Sequence, residues 1–220
     1  MKTLIRLLSV VIVLTITTGQ LFAQNFGVRA GLNFSHQVWR YGEELLTRDF
    51  VYIPGFHIGA TAEFPITNMF SFETGLLFIT KGASIETSAL GATANLRRTL
   101  FYLDVPLTGK VSFNLFGVRF YKSLGSYVGI GLSGTDKLEM TIGGQTESET
   151  YDIKWGSDPE HDLRRLDFGL KGGYGIQINA IQIGLIYALG LANIATHTDA
   201  SFKKQNVGWG ISVGYTFGGR

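Results

Sequence analysis

Asn25-Phe26-Gly27-Val28-Arg29-Ala30-Gly31-Leu32-Asn33-Phe34-Ser35 sets the architecture of this chain. Its even positions are apolar and its odd positions are polar or glycine. That is the two-residue period of a strand with unlike faces. Seven further stretches repeat it. Gly55 to Phe64 puts Phe56, Ile58, Ala60, Ala62 and Phe64 on one face, and the next strand does the same with Phe70, Phe72, Thr74, Leu76 and Phe78. Phe101 to Val111, a strand from Val118 through Leu132, Leu166 to Tyr174, Ile181 to Leu191 and Val207 to Phe217 complete a set of eight.

Alternation alone also suits a soluble lipocalin-like carrier, so the orientation of the apolar face has to come from context. One element of context is the N-terminus. A basic Met1-Lys2-Thr3-Leu4-Ile5-Arg6 precedes an apolar run from Leu7 to Ile16 and a plausible cut after Ala23. This reads as a signal peptide over 1–23, with a barrel domain over 24–220. An apolar core of about 10 residues is too short for a spanning helix, which needs ~20. Beyond the leader no apolar run of that length exists, so any membrane crossing must be made by strands.

The connections alternate in length. Links two-three, four-five and six-seven are short, whereas one-two, three-four, five-six and seven-eight run to roughly 12 to 30 residues. Tight periplasmic turns and longer outer loops give that rhythm in a transmembrane barrel, and the even strand number agrees with it. The longest link, 134–163, itself alternates on either side of Gly143-Gly144, which predicts a hairpin extending the wall.

Aromatic residues set the scale. Phe26 and Phe34, Phe56 and Phe64, Phe70 and Phe78, and Trp209 and Phe217 are each eight positions apart on an apolar face. Eight residues on a strand tilted by ~40° rise roughly 20 Å, close to the ~25 Å band between aromatic girdles. The expected fold is all-β: an eight-stranded antiparallel up-and-down transmembrane β-barrel with short periplasmic turns and long outer loops. Its expected location is the outer membrane, with outer-membrane lipid as the surrounding partner. Strand five conflicts with this scheme, because Lys122 shares parity with Phe120 and Leu124; a β-bulge near Lys122-Ser123 would turn it away from lipid.

The opposite parity fills the lumen. It places Arg29, Glu63, Glu73, Asp104, Lys110, Arg119, Asp167 and Lys171 inside, together with His57 and Tyr102. Eight strands leave an interior just wide enough for side chains, so balanced charge predicts a salt-bridge network and not a pore. Strand direction puts Arg29, Glu63, Glu73, Lys110 and Arg119 toward the periplasm, and Glu73 is expected to pair with Arg29 or Arg119. The leader carries Lys2 and Arg6 and no acid. Its removal brings the 19 Lys and Arg into balance with the 17 Asp and Glu, and a basic nucleic-acid surface is not supported.

The sequence contains no cysteine, which excludes lipobox attachment, disulfides and thiolate metal sites. No catalytic residue, cofactor site or metal site is expected. Ser35-His36 has no third member for nucleophilic catalysis; a lipid-modifying enzyme would need a Ser, a His and an acid converging on the lipid face. The acidic loop around Glu147, Glu149, Asp152, Asp158, Glu160 and Asp162 lacks EF-hand spacing. His161 and His197 sit in loops without metal-ligand spacing.

Several segments are similar to the PorT-like outer-membrane β-barrel family of Bacteroidetes. They are Pro54-Gly55-Phe56-His57-Ile58-Gly59, Phe72-Glu73-Thr74-Gly75-Leu76-Leu77-Phe78, Lys81-Gly82, Tyr102-Leu103-Asp104-Val105-Pro106-Leu107, Asp167-Phe168-Gly169-Leu170 and Gly214-Tyr215-Thr216-Phe217. The resemblance implies an eight-stranded outer-membrane barrel and supplies no catalytic residues. Its name-giving member is associated with protein secretion across the outer membrane. Three functions therefore stand beside one another: a non-enzymatic envelope or surface-loop interaction protein, an accessory component of secretion, and a soluble periplasmic carrier. Secretion or envelope proteins are the partners expected at the outer loops. A terminal aromatic signal would normally close such a chain; here Phe217 is followed by Gly218-Gly219-Arg220.

Overall fold

The computed structural model describes residues 25–46, 50–89, 92–196 and 201–217. The expected leader over 1–23, His197 and the last three residues lie outside them. The described residues form eleven strands in chain order: β1 (Asn25–Tyr41), β2 (Glu44–Leu45), β3 (Phe50–Val51), β4 (Ile53–Pro65), β5 (Phe70–Ala89), β6 (Ala92–Leu115), β7 (Val118–Ile142), β8 (Gln145–Asp152), β9 (Leu166–Ile178), β10 (Ile181–Gly190) and β11 (Phe202–Phe217). Eight of them pair in the order β11-β10-β9-β7-β6-β5-β4-β1, and β1 returns to β11 to close the ring. The closing seam runs from Phe26↔Phe217 to Tyr41↔Phe202 without a shift, and every pairing in the ring is antiparallel. The short β2 and β3 and the longer β8 attach to β1, β5 and β7 beyond the ring.

Local chemistry fixes the turns. Between β4 and β5 the hydroxyl of Thr67 accepts from the amides of Met69 and Phe70 at 3.2 and 3.0 Å. The predicted Gly143-Gly144 hairpin is present, with φ of 58° and 83°, the mirror-image turn that suits the right-handed twist of a hairpin. It joins β7 to β8 in register from Ile142↔Gln145 to Thr135↔Asp152.

The apolar face points outward along the spanning rows. Leu32, Ile58, Leu76, Ile130, Ile183 and Ile211 are all exposed, which a soluble carrier would not tolerate over so wide a band. That band is rimmed by aromatic contacts. Phe34 stacks on Trp209 at 4.6 Å and Phe78 on Phe101 at 5.5 Å near the outer edge. At the periplasmic edge Phe113 stacks on Phe120 at 5.5 Å and Phe64 meets Phe72 at 6.4 Å.

Two expectations need correction. The link between strands three and four is not a long loop: β5 and β6 stay paired up to Ala89↔Ala92, so the wall continues as a hairpin above the girdle. Nor is there a bulge at Lys122-Ser123. Lys122 keeps regular partners, Val111 on β6 and Tyr174 on β9, and its side chain is exposed on the lipid-facing side. The register shift lies higher, between Phe101 and Tyr102, where Leu132 on β7 is skipped. A bulge there reverses the inward parity of β7 where the wall leaves the membrane.

A small apolar core sits at the outer mouth of the ring. Ile79, Leu100 and Tyr102 from the wall meet Ile153, Leu163, Ala192 and Ile194 from the outer loops, with Trp155 packed against them. Trp155 meets Tyr102 edge-on at 5.6 Å. Backbone hydrogen bonds hold these loops over the opening, from the Arg164 amide to the Ile194 carbonyl at 2.9 Å and from the Gly131 amide to the Arg165 carbonyl at 2.8 Å.

Candidate functional site

Inside the ring, charged side chains from neighbouring strands and from strands two or three places apart meet in two layers. The periplasmic layer centres on Glu73 of β5. Arg29 of β1 grips it with two hydrogen bonds, Nη1 to Oε1 at 2.7 Å and Nη2 to Oε2 at 2.9 Å, a bidentate charge-assisted pair. Lys110 of β6 bridges Glu73 at 3.3 Å and Glu63 of β4 at 2.8 Å. Ser71 donates to the other Glu63 oxygen at 2.7 Å. Arg119 of β7 donates to Ser112 at 2.6 Å and approaches Glu63 at 4.0 Å. Gln182 of β10 accepts from Arg29 at 3.2 Å and donates to Thr216 at 3.1 Å, joining the layer to the far wall.

The outer layer turns on Lys81, which the sequence places in a family-like segment but not in the expected lumen set. Its ammonium donates to Asp104 at 3.0 Å and to Asp167 at 2.9 Å, and lies between the rings of Tyr102 and Tyr127 at 4.5 and 4.4 Å. Asp167 also accepts from Tyr127 at 3.2 Å and from Asn206 at 3.0 Å. The signal for Lys81 was its parity with Glu73 on the same strand; it lay past Phe78, where the apolar alternation fades.

All eight sequence-derived lumen residues point inward. Arg29, Glu63, Glu73, Lys110 and Arg119 come together in one layer, and Asp104 and Asp167 share the other through Lys81. Lys171 stands apart. It is buried and makes no hydrogen bond or ion pair among the described residues, on the wall of a cavity of about 30 Å³ that Asn33, Ser35 and Thr80 also line.

The serine and histidine of Ser35-His36 separate across the wall. Ser35 is buried inside, whereas His36 leans on Tyr52 with ring centroids 4.5 Å apart. A different pair meets in the lumen: His57 Nε2 lies 3.0 Å from the Ser212 hydroxyl. Glycine at position 31 leaves room for the His57 ring, since a Cβ there would come within 2.6 Å of it. Among the described residues His57 Nδ1 has no partner, so none of their carboxylates orients the imidazole as acyl-transfer chemistry requires.

Above the girdle, Lys204 caps the mouth with its ammonium 4.2 Å over the Trp39 ring. Burial, reinforced by the Arg98 guanidinium, pulls its pKa down to about 8. Arg98 in turn holds Asp136 through two hydrogen bonds at 2.8 and 2.5 Å.

The arrangement is one of ties across a filled barrel, and the barrel itself agrees with a known family. Residues 22–196 match the outer membrane protein beta-barrel domain. The chain belongs to that family. A search of curated proteins gives no match. Among solved structures, this outer-membrane barrel is similar to Ail, the attachment invasion locus protein of Yersinia pestis, in complex with the heparin analogue sucrose octasulfate. Identity is 17%, covering 89% of this chain and 100% of Ail, with a TM-score of 0.36. Neisserial surface protein A is 11% identical over 89% of this chain and 99% of its own, with a TM-score of 0.41. OprG of Pseudomonas aeruginosa is 10% identical over 90% and 97%, with a TM-score of 0.39.

Proposed function

We propose that this outer-membrane barrel is a non-enzymatic envelope protein that acts through its outer surface and conducts nothing through its lumen. The observation that carries this reading is the double obstruction of the interior. Two layers of ion pairs tie strands two or three places apart around the ring, and an apolar plug covers the mouth above them. Desolvated charges held by hydrogen bonds are expensive to part, since losing one partner of a buried pair costs about 3–5 kcal/mol. In this reading residues 1–23 are a cleaved leader and 24–220 the exported barrel domain. Outer-membrane lipid surrounds the wall, and the hairpins β5–β6 and β7–β8 are the surfaces offered to other envelope proteins.

The test is electrical. Wild-type protein reconstituted in planar lipid bilayers is expected to give no conductance steps, while showing the heat-modifiable gel mobility of a folded barrel. Reproducible unitary steps from folded wild-type protein would overturn the reading.

The segment Tyr102-Leu103-Asp104-Val105-Pro106-Leu107, ahead of the tight turn between β6 and β7, favours a narrower assignment to the PorT-like barrels, and with it a role as a secretion accessory. Co-purification with secretion components supports that role; a deletion strain with undiminished secretion counts against it.

A further inference from the structure

The lipid-facing rows between the two aromatic girdles contain one charged side chain among the described residues, Lys122. It makes no hydrogen bond or ion pair there. A lysine on that face costs about 2–4 kcal/mol at the bilayer midplane and little near the interface. Lys122 lies four residues into β7, roughly 10 Å above the periplasmic turn on a tilted strand, and its stem brings the ammonium toward the headgroups. Tyr174, its partner on β9, is likewise exposed and presents a phenol beside it.

The next row outward along β7 is shaped unusually. Leu124 stands between Gly109 on β6 and Gly172 on β9 and is 71% exposed. At many other wall positions glycine is forced by close approach: a Cβ at Gly59 or Gly125 would lie 2.0 or 2.1 Å from a carbonyl oxygen of the next strand, although Gly214 has 3.4 Å to spare. Gly109 has no such reason, because a Cβ there meets nothing nearer than 3.7 Å. Gly172 is tighter, with the Ser123 carbonyl oxygen at 3.3 Å and the tip of Leu124 at 3.4 Å, but a Cβ there is not excluded as it is at Gly59 or Gly125. Glycine in a strand interior forfeits about 0.5–1 kcal/mol relative to alanine, so the gap itself is what these positions supply. The result is a groove of about 680 Å³, within the range of small-molecule sites. It is lined by Lys122, Leu124, Tyr174, Leu185, Tyr187 and Trp209, with a single cation at its periplasmic end.

We propose that this groove seats one anionic phospholipid of the periplasmic leaflet. The phosphate lies against the Lys122 ammonium and the Tyr174 hydroxyl, and an acyl chain crosses Gly172 toward Tyr187 and Trp209. Charge complementarity selects an anionic headgroup, because the groove offers a lone cation and no carboxylate. A zwitterionic lipid would bring its own ammonium toward Lys122.

Barrel extracted into mixed micelles containing equal amounts of phosphatidylglycerol and phosphatidylcholine with identical acyl chains provides the test, read by native mass spectrometry. Wild type is expected to retain one phosphatidylglycerol with roughly five-fold preference, what one lysine is worth against an anionic membrane surface. Lys122→Arg keeps the preference and Lys122→Gln abolishes it. Gly109→Leu and Gly172→Leu, each checked for folding by heat-modifiable mobility, lose the retained lipid with Lys122 still in place. Equal retention of the two lipids by wild type overturns the proposal, as does an unchanged preference in Lys122→Gln. Full retention after both hollows are filled reduces Lys122 to a lysine reaching bulk headgroups and also overturns the seat.

Discussion

Replacing Lys81 by methionine isolates the contribution of the outer charge layer. Methionine keeps most of the stem volume and removes the ammonium, which donates to two carboxylates that are themselves almost fully buried. Asp167 retains two donors, Tyr127 and Asn206. Asp104 retains none among the described residues, and is left in the lumen with only the more distant Lys171 charge to offset its own. Stranding one member of a buried pair costs about 3–5 kcal/mol. The two tyrosine faces that flank the ammonium lose a cation–π contact worth about 0.5–2 kcal/mol each, part of the same total. Urea unfolding of the barrel in detergent micelles, followed by tryptophan fluorescence and by gel mobility, reads the loss as a lower midpoint at unchanged slope. Adding Asp104→Asn removes the stranded charge and is expected to recover about half of it. A single variant within about 1 kcal/mol of wild type, or a double variant no better than the single, means that the layer fills space without tying the walls.

Two further outcomes follow from the geometry. Lys204 binds its proton less tightly in the folded mouth, with a pKa of about 8, than in the unfolded chain, where 10.5 is usual. Below pH 8 both states are protonated and the burial penalty is fully felt. Between pH 8 and 10.5 the folded state loses its proton first, so stability rises across that window and then levels. Hydrogen exchange of the outer-loop amides against pH checks this, and Lys204→Met is expected to flatten the rise. Separately, Gly31→Ala is expected to block folding, because its Cβ would lie 2.0 Å from the Ile211 carbonyl oxygen as well as against His57; Gly109→Ala is expected to leave heat-modifiable mobility intact.

Much of this architecture was legible as arithmetic. A period of two assigns each residue to a face, and a spacing of eight between aromatics measures the membrane, so the lumen charges could be named without coordinates. What escaped lay where those rules lose force. Lys81 lies past Phe78, where the wall leaves the apolar band and polar residues occupy both faces, so nothing marked β5 as continuing. The parity reversal at Leu132 was sought at Lys122 because a cation facing lipid looked forbidden; in the fold Lys122 is near enough to the periplasmic interface to be tolerated. Pairing within the lumen was legible only in outline. Which of several cations meets Glu73 depends on the stagger of strands around the ring, and that is not written in any one strand.

That stagger gives the ion pairs a second role. Sliding one strand against its neighbour by two residues leaves every greasy side chain facing lipid, so apolar patterning cannot distinguish the native alignment from its nearest impostors. Such a slide moves a side chain by about 6.6 Å along the strand. Arg29, on β1, would then lose its grip on Glu73 across β4, and Lys81 would part from Asp167 across β6 and β7. The enclosed charges act as keys in a lock with evenly spaced notches, rejecting mis-threaded cylinders whose exteriors look equally sound.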